Sequence, residues 1–161
     1  MVRTTLPIFS RDARFLEEKY MKYNLRPATP DDLDELEIRY EQVMKPYVEL
    51  THRWDPDHFR KNFDSSHSQI ITIDGQNAGL LTLKETRFLI QLLDIQLWPE
   101  FQKQGIGTAI LTGLTDRADR LGLPITLRVL NGNPAKSLYE SLGFQKTEDL
   151  ENAVAMTRNP Q

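Results

Sequence analysis

The sequence contains no cysteine, which excludes disulfides, thiolate metal sites and a covalent thiol nucleophile. Histidine is scarce: His52, His58 and His67 are the full set. A zinc site would need carboxylates such as Asp55 or Asp57 to complete it, and nothing in their spacing fixes such a geometry, so no metal is expected. Long hydrophobic runs are also missing. The stretch Ala78 to Leu81 is typical, far short of the roughly 20 residues that a membrane span needs. The first 22 residues lack the apolar segment of a secretory signal. Nor does one sign of charge dominate: 20 Lys and Arg against 23 Asp and Glu give −3, which disfavours a basic domain built on duplex nucleic acid. What remains is 161 residues with 39% hydrophobic and 27% charged side chains, enough for one folded domain with a real core. A cytoplasmic protein with neither membrane nor nucleic acid as partner is the expectation.

Residues 1–22 read as an N-terminal extension, in which Ser10 can cap a short, loosely docked helix from Arg11 to about Lys22. The domain proper is expected over 23–161. Tyr23 to Ala28 alternates as a strand. Thr29 then caps a helix opened by Pro30, Asp31 and Asp32, which suits both the first-turn proline preference and the helix dipole. Leu33, Leu36, Ile38, Tyr40 and Val43 form its expected apolar face, and Pro46 its stop. A second helix begins near Asp55 or Pro56. Strands follow over 68–74 and 78–85, joined by a turn at Asp74–Asn77, and a long one over 88–97. A helix is expected from about Gln104 to Leu121, closed by Gly122. The chain ends with a strand over 124–130, a short helix over 133–142 and two short strands, 144–147 and 152–157. The order β-α-α-β-β-β-α-β-α-β-β gives a mixed α/β fold around a largely antiparallel sheet.

The most informative segment runs from Leu92 to Leu114. An apolar strand meets Pro99, then a glycine-bearing loop, then an amphipathic helix. Gly105 and Gly107 let the backbone approach an anion closely, and the helix N-terminus adds unpaired N–H groups and partial positive charge. The loop lacks the Lys-Ser/Thr ending of a Walker motif, and Ile110 stands where a Rossmann fingerprint needs a third glycine. It suits phosphates while matching neither nucleotide motif, and a plain tight turn remains the other reading.

A second motif follows one strand later: Asn133, Leu138, Tyr139, Leu142, Gly143 and Phe144. Together with Gln102-Lys-Gln-Gly105-Ile-Gly107, and with Leu97-Trp98-Pro99 ahead of it, this pair resembles the two cofactor motifs of the GNAT superfamily of acyl-CoA N-acyltransferases. The resemblance spans about residues 23–157. It implies a twisted, largely antiparallel sheet of about seven strands flanked by about four helices, with acetyl-CoA as donor. It further implies that backbone groups of Ile95, Gln96 and Leu97 pair with the pantetheine amides. Backbone N–H groups of Gln102, Lys103, Gln104, Gly105, Ile106, Gly107 and Thr108 would hold the pyrophosphate. Asn133 would meet the pantetheine arm, and Lys136 either the 3′-phosphate or solvent. Gln102 replaces the arginine more common in the family, which costs a charge but leaves the backbone cradle.

Tyr139 is similar to the family's general acid, which protonates the departing thiolate; a core tyrosine at the rim of an amphipathic helix is the alternative. The amine must also lose a proton. Asp94 is the first choice of base, expected on one strand face with Gln96, opposite Leu93, Ile95 and Leu97. Glu85 and Glu49 are rivals, and a salt bridge to Arg128 is the competing role for Asp94. Residues 40–59 mix rings and carboxylates, with Tyr47, Glu49 and Trp54 the candidate acceptor contacts; a plain helix-loop-helix packed on the sheet is the alternative. The implied activity is N-acetyl transfer by direct attack in a ternary complex. A small-molecule amine is the first acceptor expected, a protein lysine or N-terminus the second. A non-catalytic acyl-CoA-binding module is the reading from another class. Homodimers are common in the family, though no residue pattern here indicates one.

Overall fold

The structure is a computed structural model, and it describes residues 23–161; the helix expected over 11–22 lies outside the described residues. Seven strands form one sheet: β1 (Asn24–Pro27), β2 (Ser68–Ile73), β3 (Gln76–Glu85), β4 (Ile90–Leu97), β5 (Ile125–Leu130), β6 (Gln145–Asp149) and β7 (Ala153–Arg158). Their spatial order is β1-β2-β3-β4-β5-β7-β6. Every neighbouring pair is antiparallel except β4 with β5. The helices are α1 (Leu33–Val48), α2 (His58–Asn62), α3 (Ile106–Leu121) and α4 (Ala135–Ser141). Order and type of these elements match those expected from the sequence. None of the described helices is long and apolar enough to cross a membrane.

Two apolar clusters cover the two faces of the sheet. On one face Ile106, Ile110, Leu114 and Ala118 of α3 pack against Leu81, Leu83, Ile90, Leu92 and Ile125. On the other, Leu36 of α1 and Phe59 of α2 pack against Ile70, Leu80 and Trp98. Trp98 is completely buried and anchors this second cluster. At one edge of the structure, buried Arg158 forks onto Asp119 at 2.7 and 2.9 Å and donates to the Leu142 carbonyl at 2.8 Å. It thereby ties β7 to α3 and to the end of α4.

Three local expectations are corrected. Pro46 does not stop α1, which continues to Val48; lying within the last turn, it removes a single hydrogen bond, and Glu49 and His52 still donate to Lys45 and Val48. Ile38 is 69% exposed, because the buried stripe follows Leu36, Tyr40 and Met44 at helical spacing and Ile38 points away from it. The strand expected from Phe88 starts only at Ile90: the Thr86 hydroxyl caps the N–H groups of Phe88 and Leu89 in a turn.

The long β3–β4 ladder depends on Gly79, which pairs with Leu97. A Cβ built on Gly79 would lie 2.1 Å from the Gln96 carbonyl oxygen. Neither strand can retreat without breaking the ladder, so Gly79→Ala is expected to destabilise the domain by about 3 kcal/mol. A thermal melt checks this, and an unchanged midpoint would show that β4 can shift freely.

Candidate active site

β4 and β5 pair only from Ile90–Leu92 to Ile125–Leu127. Beyond Leu92 they separate, while β4 stays paired to β3 as far as Leu97. The Trp98 N–H donates to Ala78 of β3 at 2.8 Å. Backbone groups alternate along a strand, so those of Ile95 and Leu97 turn toward the gap. The Leu97 carbonyl is already taken there: the Gln102 side-chain amide donates to it at 2.9 Å. This is the work that Gln102 does in place of a charge.

The gap opens into a cavity of about 580 Å³. Donor-side residues expected from the sequence line it: Ile95, Gln96, Leu97, Gln102, Gly107, Asn133 and Tyr139. At its end sits the glycine loop. Gly105 caps α3 at φ 82°, a left-handed conformation that costs a glycine little, and Lys103 is also left-handed at φ 59°. The first helical bond of α3 runs from Ala109 to Gly105. The backbone N–H groups from Lys103 to Thr108 therefore have no acceptor among the described residues, and left-handed turns of this kind gather such groups into an anion-binding concavity. A Cβ on Gly107 would meet only Leu97 Cδ1, at 3.7 Å, so nothing in the protein itself requires a glycine there. That vacancy fits a pyrophosphate approaching the helix terminus. Asn133 spends its Oδ1 as a cap on the Ala135 N–H, at 2.9 Å, leaving its amide nitrogen for a ligand. Lys136 lies 3.8 Å from Glu140 and does not line the cavity.

Another wall of the cavity is built from α1, α2 and the loop between them. Tyr47 and Trp54 line the cavity with Tyr40, His52 and His58. Glu49 lies outside it, exposed beyond the end of α1. Glu85 is bound by Arg117, so that neither rival carboxylate reaches the cavity. Asp94 does. Its partner is not Arg128: the Gln96 amide donates to Asp94 Oδ1 at 2.6 Å, and the Tyr40 hydroxyl and Ile95 N–H also support the charge. Burial outweighs these contacts and pushes the carboxyl up from 3.8 to about 6. Burial also pushes the Tyr139 hydroxyl up to about 12, with Asp94 adding to the effect. Tyr139 stands on α4 against Phe144, ring centroids 5.7 Å apart.

Two features escaped the sequence reading. Asp94 and Gln96 share a face as expected, but Leu93 does not oppose them. The ladder jumps from Thr82–Asp94 to Leu83–Leu92, so Leu93 is a bulge residue and lines the same cavity as Asp94. Tyr40 is expected on the apolar face of α1 and as one ring among several, not as a partner of the carboxyl; it packs on Phe59 at 4.5 Å and its hydroxyl bonds Asp94. Its position on the buried stripe of α1 was the one signal available. Among the described residues, no group of three or more metal-ligating side chains comes together.

A sequence profile described as an acetyltransferase (GNAT) domain matches residues 35–156. The chain belongs to the GNAT acetyltransferases. That family comprises acyltransferases whose donor is acetyl-CoA. It is 32% identical over 87 residues to the [ribosomal protein bS18]-alanine N-acetyltransferase of Escherichia coli strain K12. That match covers 51% of this chain and 59% of the relative, under two thirds of the relative's length. Its fold is similar to that of the PaiA N-acetyltransferase from Thermoplasma acidophilum, solved in complex with coenzyme A. The TM-score is 0.68 at 18% identity, covering 86% of this chain and 99% of that one. The solved ribosomal-protein-S18-alanine N-acetyltransferase from Escherichia coli gives 0.64 at 22% identity, covering 86% and 94%.

The cradle has a direct test. Gly107→Ala is expected to melt at or slightly above the wild-type temperature without ligand, since alanine suits a helix better than glycine. Acetyl-CoA at 100 times its wild-type Kd adds about 2.7 kcal/mol to the wild type, and less than half of that to the variant. Equal stabilisation of both would remove Gly107 from the cradle.

Proposed function

We propose that this enzyme transfers the acetyl group of acetyl-CoA directly to the α-amino group of a polypeptide N-terminus, within one complex of enzyme, donor and acceptor. The carrying observation is that one cavity holds both a carboxyl pushed up to about 6, Asp94, and a hydroxyl pushed up to about 12, Tyr139. Groups with values so far apart divide naturally into base and acid. Acetyl-CoA supplies an activated thioester. Asp94, ionised above pH 6, receives the proton that the amine nitrogen loses as its bond to the acetyl carbon forms. Tyr139, still protonated at neutral pH, gives its proton to the sulfur as the carbon–sulfur bond breaks. The Ile95 carbonyl and the Leu97 N–H, which neither Asp94 nor Gln102 occupies, and the N–H groups from Lys103 to Thr108 hold and orient the donor. Tyr47 and Trp54 flank the acceptor, and the Asn133 amide the pantetheine arm.

The polypeptide acceptor takes the place of the small molecule expected first from the sequence. Support comes from the Escherichia coli relative, named for an alanine of a ribosomal protein, since alanine has no amine except its α-amino group. Ring-rich walls open to solvent suit a chain end that enters while the rest of the chain stays outside.

Asp94→Asn and Tyr139→Phe separate the roles. Using a peptide with a free α-amine and thiol release as readout, each is expected to lower kcat by at least ~100-fold while acetyl-CoA still raises the melting temperature. Wild-type kcat should rise with pH through about 6, and Asp94→Asn should lack that limb. Stability moves the other way. The folded carboxyl binds its proton more tightly than the unfolded one, so the domain loses stability as pH climbs from 3.8 to about 6. The loss is on the order of 3 kcal/mol. Asp94→Asn is therefore expected to melt at or above wild type at pH 8. A variant that kept full turnover would overturn the assignment of Asp94 as base, and one that melted well below wild type at pH 8 would overturn the burial of the charged carboxyl.

A further inference from the structure

Beside the main cavity lies a second, of about 340 Å³, between α2 and the β2–β3 part of the sheet. Tyr40, His58, Leu93 and Asp94 line both, so the two meet at the carboxyl. The transfer itself makes no use of this space.

Its inner wall is apolar, with Phe59 and Leu80 buried beside half-buried Phe63. Its polar groups are mostly committed to one another. Asp64 Oδ2 lies 2.7 Å from His67 Nδ1, and its Oδ1 accepts from the backbone N–H and hydroxyl of Ser66. The Ser68 hydroxyl donates to the Asp64 carbonyl and lies 3.1 Å from the Thr82 hydroxyl. Lys84 differs. It lines the cavity, is exposed, and has no ion pair among the described residues. Thr82 faces Asp94 across the ladder, and Lys84 follows on the same face of β3. A carboxylate at one end of a pocket is thus matched by an uncompensated cation at the rim, with an apolar wall between them.

We infer that this second cavity receives the side chain of the acceptor's first residue and favours one that ends in a carboxylate. The inference rests on the reading of Asp94 as the group that meets the α-amine. A side chain leaves from the carbon bonded to that nitrogen, so an amine at Asp94 sets the side chain at the wall the two cavities share. Its methylenes lie against Phe59 and Leu80, and its carboxylate faces Lys84. A cationic side chain would instead bring like charges together. The same chemistry is offered by an N-terminal glutamate and by free glutamate.

The test uses the full chain with acetyl-CoA and peptides identical except for a first residue of Glu, Gln, Leu, Lys or Gly, with free glutamate as a separate arm. The Glu-first peptide is expected to exceed the Lys-first peptide at least tenfold in kcat/KM, by a margin that shrinks as salt is added. Lys84→Glu, at an exposed position without a partner, should invert that ratio while leaving the melting temperature in place. Leu93→Trp narrows the shared wall and should penalise Glu- and Leu-first peptides more than the Gly-first one. Equal kcat/KM for all five peptides, or a ratio that Lys84→Glu leaves unmoved, overturns the inference while the polypeptide reading stands. Acetylation of free glutamate alone, sensitive to Lys84→Glu, upholds the pocket and overturns the polypeptide acceptor. If no acceptor is acetylated although acetyl-CoA raises the melting temperature, both fall.

Discussion

The pairing of β4 with β5 stops after Leu92 and Leu127, and the backbone beyond that point carries polar groups without a strand to receive them. A buried group left unpaired costs roughly 1–3 kcal/mol, so the fold can keep this gap only by limiting its exposure to apolar surroundings. Gln102 covers the Leu97 carbonyl, and the open cavity admits water to the remainder. On its other edge β4 is held by β3 down to Leu97, an approach close enough that only the missing Cβ of Gly79 allows it. One neighbour thus holds the strand along its length while the other releases it. A ligand with amide groups can then bind as a strand would, without reorganising the sheet.

The apolar surroundings that make the cavity also divide its chemistry. Desolvation favours the neutral form of both Asp94 and Tyr139 and so raises both. The consequences differ because the starting values differ. The tyrosine moves farther from neutrality and remains a proton donor throughout the working range. The carboxyl moves toward neutrality and becomes a stronger base without ceasing to be ionised at pH 7. The ionised form is held in an environment that disfavours it, a strain that the packing of α1 and α2 against the sheet must offset.

Much of this was legible in the residues. The glycines of the loop, the periodicity of α3 and the Leu-Tyr and Leu-Gly-Phe steps around Tyr139 are local patterns, and they fall on the elements expected of them. What stayed hidden depends on tertiary contact. Tyr40 and Asp94 are far apart in sequence, and only the docking of α1 brings them together. Glu85 stands in the sequence as a rival to Asp94, because nothing local shows that Arg117, on a helix across the sheet, binds it. Pro46 read as a stop because the cost of proline depends on which turn it occupies. Leu93 carries no mark at all: a bulge without glycine has the same composition as regular strand.

That bulge links the two halves of the site. Leu92 is the last residue of β4 paired with β5, and Leu93, immediately after it, is the extra residue against β3. Bulges bend a strand and sharpen its right-handed twist, so β4 swings away from β5 where the additional residue is inserted. The same insertion turns two successive side chains, Leu93 and Asp94, toward α1, where strict alternation would have sent one to each face. A single extra residue therefore opens a free strand edge on one side and, on the other, sets an apolar contact beside the Asp94 carboxyl. In the function proposed above, donor binding and acceptor choice share this one cause, which is why a change at Leu93 cannot touch the wall shared by the two cavities without also touching the geometry of the gap.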